Sequence, residues 1–183
     1  MKLFSWLQDL KGENQSAEFE EAASPALQAR LNELEKMSVR EVMTPRAVIM
    51  ALDVDVQLRR ARRVKTAKVG FFPVYQGDLD HILGWISKHK VLELLSEPVE
   101  DIQLAHYLRP VGEIDENASV ADLADAFLKS ASPFMVVKNS HGSTVGIVPL
   151  HEFVELVFGF DMETPAGPAI EPAVVQPLRS YEL

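Results

Sequence analysis

Gly84-Trp85-Ile86-Ser87-Lys88-His89-Lys90-Val91-Leu92-Glu93-Leu94-Leu95 is met again 62 residues later as Gly146-Ile147-Val148-Pro149-Leu150-His151-Glu152-Phe153-Val154-Glu155-Leu156-Val157. Each stretch runs from a glycine through an apolar pair into a segment with Glu-Leu at the same place. Outward from this core the match continues. Asp53 aligns with Asp115, Val74 with Val136 and Tyr75 with Val137, while Leu52, Leu58 and Ile86 face Ile114, Val120 and Val148. Duplicated units of this size bury their apolar faces against each other, because neither has enough core alone. A pair that closes on itself makes two related seams, and function is expected there.

The order of elements follows from local signals. Val48 to Leu52 reads as a strand and Leu58 to Thr66 as a helix. Phe71 to Tyr75 and Ile82 to Ile86 form a hairpin across Gln76-Gly77-Asp78, and Lys88 to Leu95 is a second helix that ends before Pro98. The second unit repeats this order. Ser119, with Asp122 three residues on, opens its first helix as a capping box. Val120, Leu123, Ala124, Phe127 and Leu128 are the expected buried stripe of that helix. Phe134 to Val137 and Val145 to Val148 are its hairpin, and Val154, Leu156, Val157 and Phe158 supply the closing helix. The fold class is α+β, with tandem β-α-β-β-α repeats making two small sheets packed with helices.

The flanks differ. Residues 1–23 read as a flexible leader whose Leu3, Phe4, Trp6, Leu7 and Leu10 offer a docking peptide for a protein or membrane. A helix over 24–37 starts at Ser24-Pro25, an N-cap followed by proline in the first turn, and carries Leu27, Leu31 and Leu34 on one face. The repeats take 38–98 and 99–160. Residues 161–183, with Pro165, Pro168, Pro172 and Pro177, read as a disordered tail.

Composition excludes several classes. The net charge of −9 opposes broad nucleic-acid binding and adhesion to anionic lipid. The chain has no cysteine, so thiol chemistry and thiolate metal sites are absent. No apolar run approaches the ~18 residues that span a bilayer, and the start is too short for a secretory signal. The chain reads as cytoplasmic. Its five histidines, His81, His89, His106, His141 and His151, have no metal-ligand spacing. Asp78, Asp80 and His81 share one hairpin turn, which needs polar residues anyway. No catalytic triad order, P-loop or dinucleotide fingerprint is present, so an enzyme is not expected. Arg59, Arg60, Arg62, Arg63, Lys65 and Lys68 concentrate positive charge near one helix. They suit a solvated face, or a dock for an anion or acidic partner.

The duplicated unit, together with Ser38-Val39-Arg40-Glu41-Val42-Met43-Thr44-Pro45-Arg46, Phe72-Pro73-Val74-Tyr75, Arg109-Pro110-Val111 and the two glycine stretches, resembles a CBS-domain pair. It is most similar to the pair of the HlyC/CorC group linked to magnesium and cobalt efflux. The resemblance covers about 38–160 and implies a non-enzymatic regulatory module that forms a flat homodimer and binds AMP, ADP or ATP, with Mg2+ or without it. Relatives join the pair to a membrane domain, so a membrane ion transporter regulated in trans is an expected partner.

In the family pattern a hydroxyl and an acid follow the last strand as Gly-x-x-Thr/Ser-x-x-Asp. The helix N-terminus there favours phosphate, and the acid accepts from the ribose diol. Ser87 keeps the hydroxyl while Lys90 replaces the acid. Glu152 keeps the acid while Pro149 removes a hydroxyl and a backbone donor. The resemblance places the ligand against Thr44, Val48, Phe72, Pro73, Ser87 and Lys90 in one site, and Phe134, Met135 and Glu152 in the other. The bland reading of Phe72 and Phe134 is core packing. The competing function is a dimeric adaptor with vestigial, ligand-free clefts.

Overall fold

In the computed structural model, residues 25–55, 63–96 and 102–159 are described. The leader over 1–23, Ser24, most of the helix expected from Leu58 to Thr66, with Arg59, Arg60 and Arg62, and the tail over 161–183 lie outside them.

The chain order is helix α1 (Pro25–Leu34), α2 (Val39–Val42), strand β1 (Thr44–Pro45), a 3-10 turn (Arg46–Val48) and β2 (Leu52–Asp53). Then come α3 (Arg63–Thr66), β3 (Phe71–Gln76), β4 (Asp78–Ser87) and α4 (Lys88–Ser96). After a 3-10 turn at Leu104–Tyr107 follow β5 (Gly112–Asp115), α5 (Val120–Lys129), β6 (Phe134–Lys138), β7 (Thr144–Pro149) and α6 (Leu150–Phe158). The β-α-β-β-α order therefore holds in both halves. In each, a parallel pair (β2 with β3, β5 with β6) is followed by an antiparallel hairpin. The strand expected over Val48 to Leu52 is shorter and later: Arg46–Val48 turns as a 3-10 helix and only Leu52–Asp53 pairs. Ile49 and Ala51 are buried between these elements, so the apolar run that suggested a strand is core without being ladder.

Local chemistry sets the helix ends. Ser119 and Asp122 form the reciprocal capping box of α5, with Asp122 N–H donating to Ser119 Oγ at 3.1 Å and Ser119 N–H to Asp122 Oδ2 at 3.2 Å. Helix α6 stops at Gly159, whose φ of 71° is the left-handed conformation that closes a helix. Leu128 departs from the expected stripe. It is 47% exposed at the end of α5, while Val120, Leu123, Ala124 and Phe127 are buried.

Three apolar clusters organise the molecule. One holds α5, α6 and the helix-facing residues Met135, Val137 and Val148 of the second repeat, covered by Leu31 and Leu34 of α1. Another is the first repeat's own core of Leu52, Val64, Phe72, Val74, Ile86, Val91 and Leu94. The third lies between the repeats: Ile49, Ala51, Trp85, Phe134, Val136 and Ile147, with Phe71 and Tyr75 against it. Alternation along the strands explains the division, since successive side chains take opposite faces.

The ladders also refine the internal alignment. Val74 faces Gly84 and Val137 faces Gly146, so the outer strands are 62 residues apart but the middle strands 63. Phe71, not Phe72, is the counterpart of Phe134. The two rings stack across the repeat interface at 5.1 Å and 20°. A one-residue slip exchanges the two faces of a strand. That is why Phe72 lies under the helices of its own repeat while Phe134 faces the other repeat.

The sheets are unequal. The first repeat has three strands in the order β2-β3-β4, and the second four in the order β1-β7-β6-β5. The fourth strand comes from the start of the first repeat: Thr44 pairs with Ile147 and Pro45 with Gly146. Just upstream, Val39 N–H donates to Ala118 O and Arg40 N–H to Glu116 O, both at 2.9 Å. Residues 38–45, sequentially part of the first repeat, pack on the second. The connection between repeats does the reverse, with Arg109 exchanging two 2.9 Å backbone bonds with Trp85 of β4.

Candidate functional site

Each repeat is thus crossed by a short segment belonging to the other's entry, and each crossing lies over a glycine. A Cβ on Gly146 would stand 2.6 Å from Thr44 O, and one on Gly84 would collide with Arg109 O. The repeated glycine first seen in the sequence is a requirement of close backbone approach. The two crossings define two seams, each beside the N-terminus of a closing helix.

At the β1–β7 seam, Thr44 Oγ1 donates to Glu152 Oε2 at 2.7 Å. Glu152 is in the first turn of α6, behind Pro149 at the N-cap. The sequence placed Thr44 with Ser87 and left Glu152 in another site. The structure instead joins Thr44 and Glu152, because β1 docks on β7. The seam that lacks a hydroxyl at Pro149 therefore receives one from Thr44. Val48 is half-buried at the end of the following 3-10 turn.

At the opposite seam Ser87 Oγ accepts from Lys90 N–H at 3.1 Å and so caps α4. Lys90 Nζ donates to Glu93 Oε1 at 2.8 Å and lies 5.0 Å from the centroid of the Tyr107 ring, a cation–π contact. The Lys90 hydrogen bond holds the Glu93 carboxyl below its ordinary value. Lys88 Nζ donates to Ala67 O. Arg109 lies over the Trp85 ring, and Trp85 Nε1–H donates to Pro110 O at 3.0 Å. Tyr107 carried no signal in the sequence beyond standing two residues before Arg109.

The remaining expected wall residues divide by face. Pro73 is buried opposite Trp85 in the ladder, and Phe134 is buried between the repeats. Phe72 is buried in its own repeat's helix-side core, and Met135 in the core of the second repeat, which Met43 also packs against. Among the described residues no three His, Asp or Glu side chains gather as a metal site, and Asp80 is turned to Arg46.

Comparison with known proteins agrees with this architecture. The CBS domain of the bacterial CNNM/CorC family Mg2+ transporter in complex with ATP superimposes with a TM-score of 0.67 at 25% identity, over 74% of this chain and 96% of that one. This chain has the fold of a CBS-domain pair, similar to those of the CNNM/CorC group. A CBS-domain pair with bound AMP from Klebsiella pneumoniae shares the fold, with a TM-score of 0.60 at 19% identity over 68% of this chain and all of that chain. The UPF0053 protein YhdP of Bacillus subtilis is 25% identical over 133 residues, 71% of this chain. The match spans about 30% of the length of that relative. No protein-family model matches the chain. Among the described residues no helix is long and apolar enough to cross a membrane.

Proposed function

We propose that this CBS pair is a regulatory, non-catalytic module that binds an adenine nucleotide at the seam between its repeats. The observation that carries the reading is the Thr44–Glu152 pair at the start of α6. A carboxylate in the first turn suits a ribose diol, which donates two hydrogen bonds. The helix N-terminus beyond it favours phosphate. Thr44 adds a hydroxyl from the crossing segment, so a ligand there touches two parts of the chain at once. Similarity to CBS pairs that hold ATP or AMP supports the ligand class.

Binding would bias how the two repeats pack, and a partner that prefers one packing would feel this as affinity. We further propose that the module works as a homodimer on the cytoplasmic side, with a membrane ion transporter of magnesium or cobalt as the regulated partner. The likeness to the CNNM/CorC Mg2+ transporter domain supports that partner class.

The test is a thermal-shift titration with AMP, ADP and ATP, each with and without Mg2+. Ligand that binds only the native state raises Tm as RT ln(1 + [L]/Kd). A concentration-dependent rise with one nucleotide upholds the reading. A flat response at millimolar concentration refutes it and favours an adaptor with ligand-free seams.

A further inference from the structure

Arg46 follows directly on the crossing strand β1, and its guanidinium does not point back to the seam. Its Nη1 donates to Asp80 Oδ1, and also to Thr144 O at 2.8 Å. Asp80 belongs to β4 of the first repeat, Thr144 opens β7 of the second. The same Asp80 Oδ1 accepts from Thr144 N–H at 2.8 Å. Lys138, at the end of β6, donates from Nζ to Asp80 O at 2.8 Å. The Asp80 carboxylate therefore joins the crossing segment to β7 of the second repeat, while its backbone carbonyl holds β6 through Lys138. The crossing segment is held at both ends: by Glu152 through Thr44, and by Asp80 through Arg46.

From this geometry we propose that Asp80 is a positioning residue for the seam of the other repeat. It fixes Arg46, which sets where Thr44 stands relative to Glu152. The inference rests on the nucleotide reading for its ligand but on the hydrogen bonds for its mechanics. A carboxylate oxygen shared between the Arg46 guanidinium and the Thr144 amide is more directional than either bond alone, since each donor restricts the other. The device has no twin. The residue 62 positions after Asp80 is Gly142, which has no side chain to hold the other crossing. Control of this kind acts on the Thr44–Glu152 seam alone.

The experiment compares ATP and AMP binding by calorimetry to the full chain and to Asp80→Ala and Val91→Ala. Val91 is fully buried in the first repeat's own core, so its truncation destabilises the same repeat without touching the crossing segment. The expected result is a Kd raised at least fivefold in Asp80→Ala and held within twofold in Val91→Ala, even where Val91→Ala has the lower Tm. Equal weakening in both, or none in Asp80→Ala, overturns the proposal. Should Asp80→Ala fail to fold, Arg46→Gln is read by the same criteria.

If neither nucleotide binds the unaltered protein, the functional reading fails and the positioning is decided without ligand. Asp80→Ala, Thr44→Val and their combination then form a double-mutant cycle. A combined fall in Tm smaller than the sum of the single falls upholds the coupling, because Thr44 has less to lose once its position is free. Additive falls overturn it.

Discussion

Replacing Gly146 with alanine probes the crossing on which the candidate site depends. The added Cβ would lie 2.6 Å from Thr44 O and 2.7 Å from Met43 Sδ. The methionine has rotatable bonds with which to retreat, but the carbonyl is part of a paired strand. Relief requires β1 to move off β7, weakening the Thr44–Ile147 pairing and the hydrogen bond to Glu152. Overpacking of this kind costs about 1–3 kcal/mol. At roughly 2–4 °C per kcal/mol for a chain of this size, Tm falls by about 2–12 °C. Gly70→Ala is the matched control: nothing lies within 4 Å of its Cβ. That change leaves stability alone or raises it by up to about 1 kcal/mol through the unfolded chain. Urea denaturation of the two variants, read at constant m, makes the comparison. Gly146→Ala as stable as Gly70→Ala would refute the account of the repeated glycine and of how β1 sits.

Thr44→Val and Ser87→Ala act at different seams, so Thr44→Val should weaken nucleotide binding while Ser87→Ala leaves it unchanged. Calorimetry in which Ser87→Ala weakens binding as much as Thr44→Val would return them to one site. Phe127 packs on Phe153 at a ring distance of 5.4 Å under α5 and α6, and Phe153→Ala should cost about 3–5 kcal/mol by urea denaturation. Acid stability should report on Asp80. Burial acts to raise its pKa, but the Arg46 hydrogen bond, the Thr144 amide and the charges of Arg46 and Lys138 together hold it below the ordinary 3.8. A depressed carboxyl contributes stability above its unfolded value, and that contribution is lost as pH falls through the lower folded value. Asp80→Asn should therefore flatten the loss of stability below pH 3.8. An unchanged acid limb would contradict this.

What the sequence reveals here is what is written locally. The hairpins, the Ser119 capping box and the order of elements follow from patterns a few residues long, and all of them stand in the structure. The duplication was legible because both copies keep Gly84 and Gly146. The middle strands were aligned one residue out, since Val74 matches Val136 and Val137 equally well in apolar character. Only the ladder separates the two choices, and with them the face on which Phe72 lies. The docking of Thr44 on Ile147 joins residues about a hundred positions apart and leaves no period to detect. For the same reason sequence order places Thr44 in the repeat of Ser87, and the first hairpin reads Asp80 as a turn residue or, with Asp78 and His81, a weak divalent-ion ligand.

The two seams occupy equivalent places but are chemically opposed. Arg109 holds the place of Thr44, because they face Trp85 and Ile147, themselves 62 residues apart. Lys90 holds the place of Glu152, and Ser87 that of Pro149. One seam thus presents a hydroxyl and a carboxylate, the other a lysine already bonded to Glu93 and resting on Tyr107. A nucleoside needs an acceptor for its diol, and at corresponding positions the first seam carries Glu152 while the second carries Lys90. At the second, a ligand would first have to displace Lys90 from its charged partner Glu93. The duplication therefore supplies two frames, while the substitutions at three pairs of positions decide that they do different work. On the proposed reading the frame with Thr44 and Glu152 is the one that takes a ligand, while Lys90 in the other is already engaged by Glu93 and Tyr107.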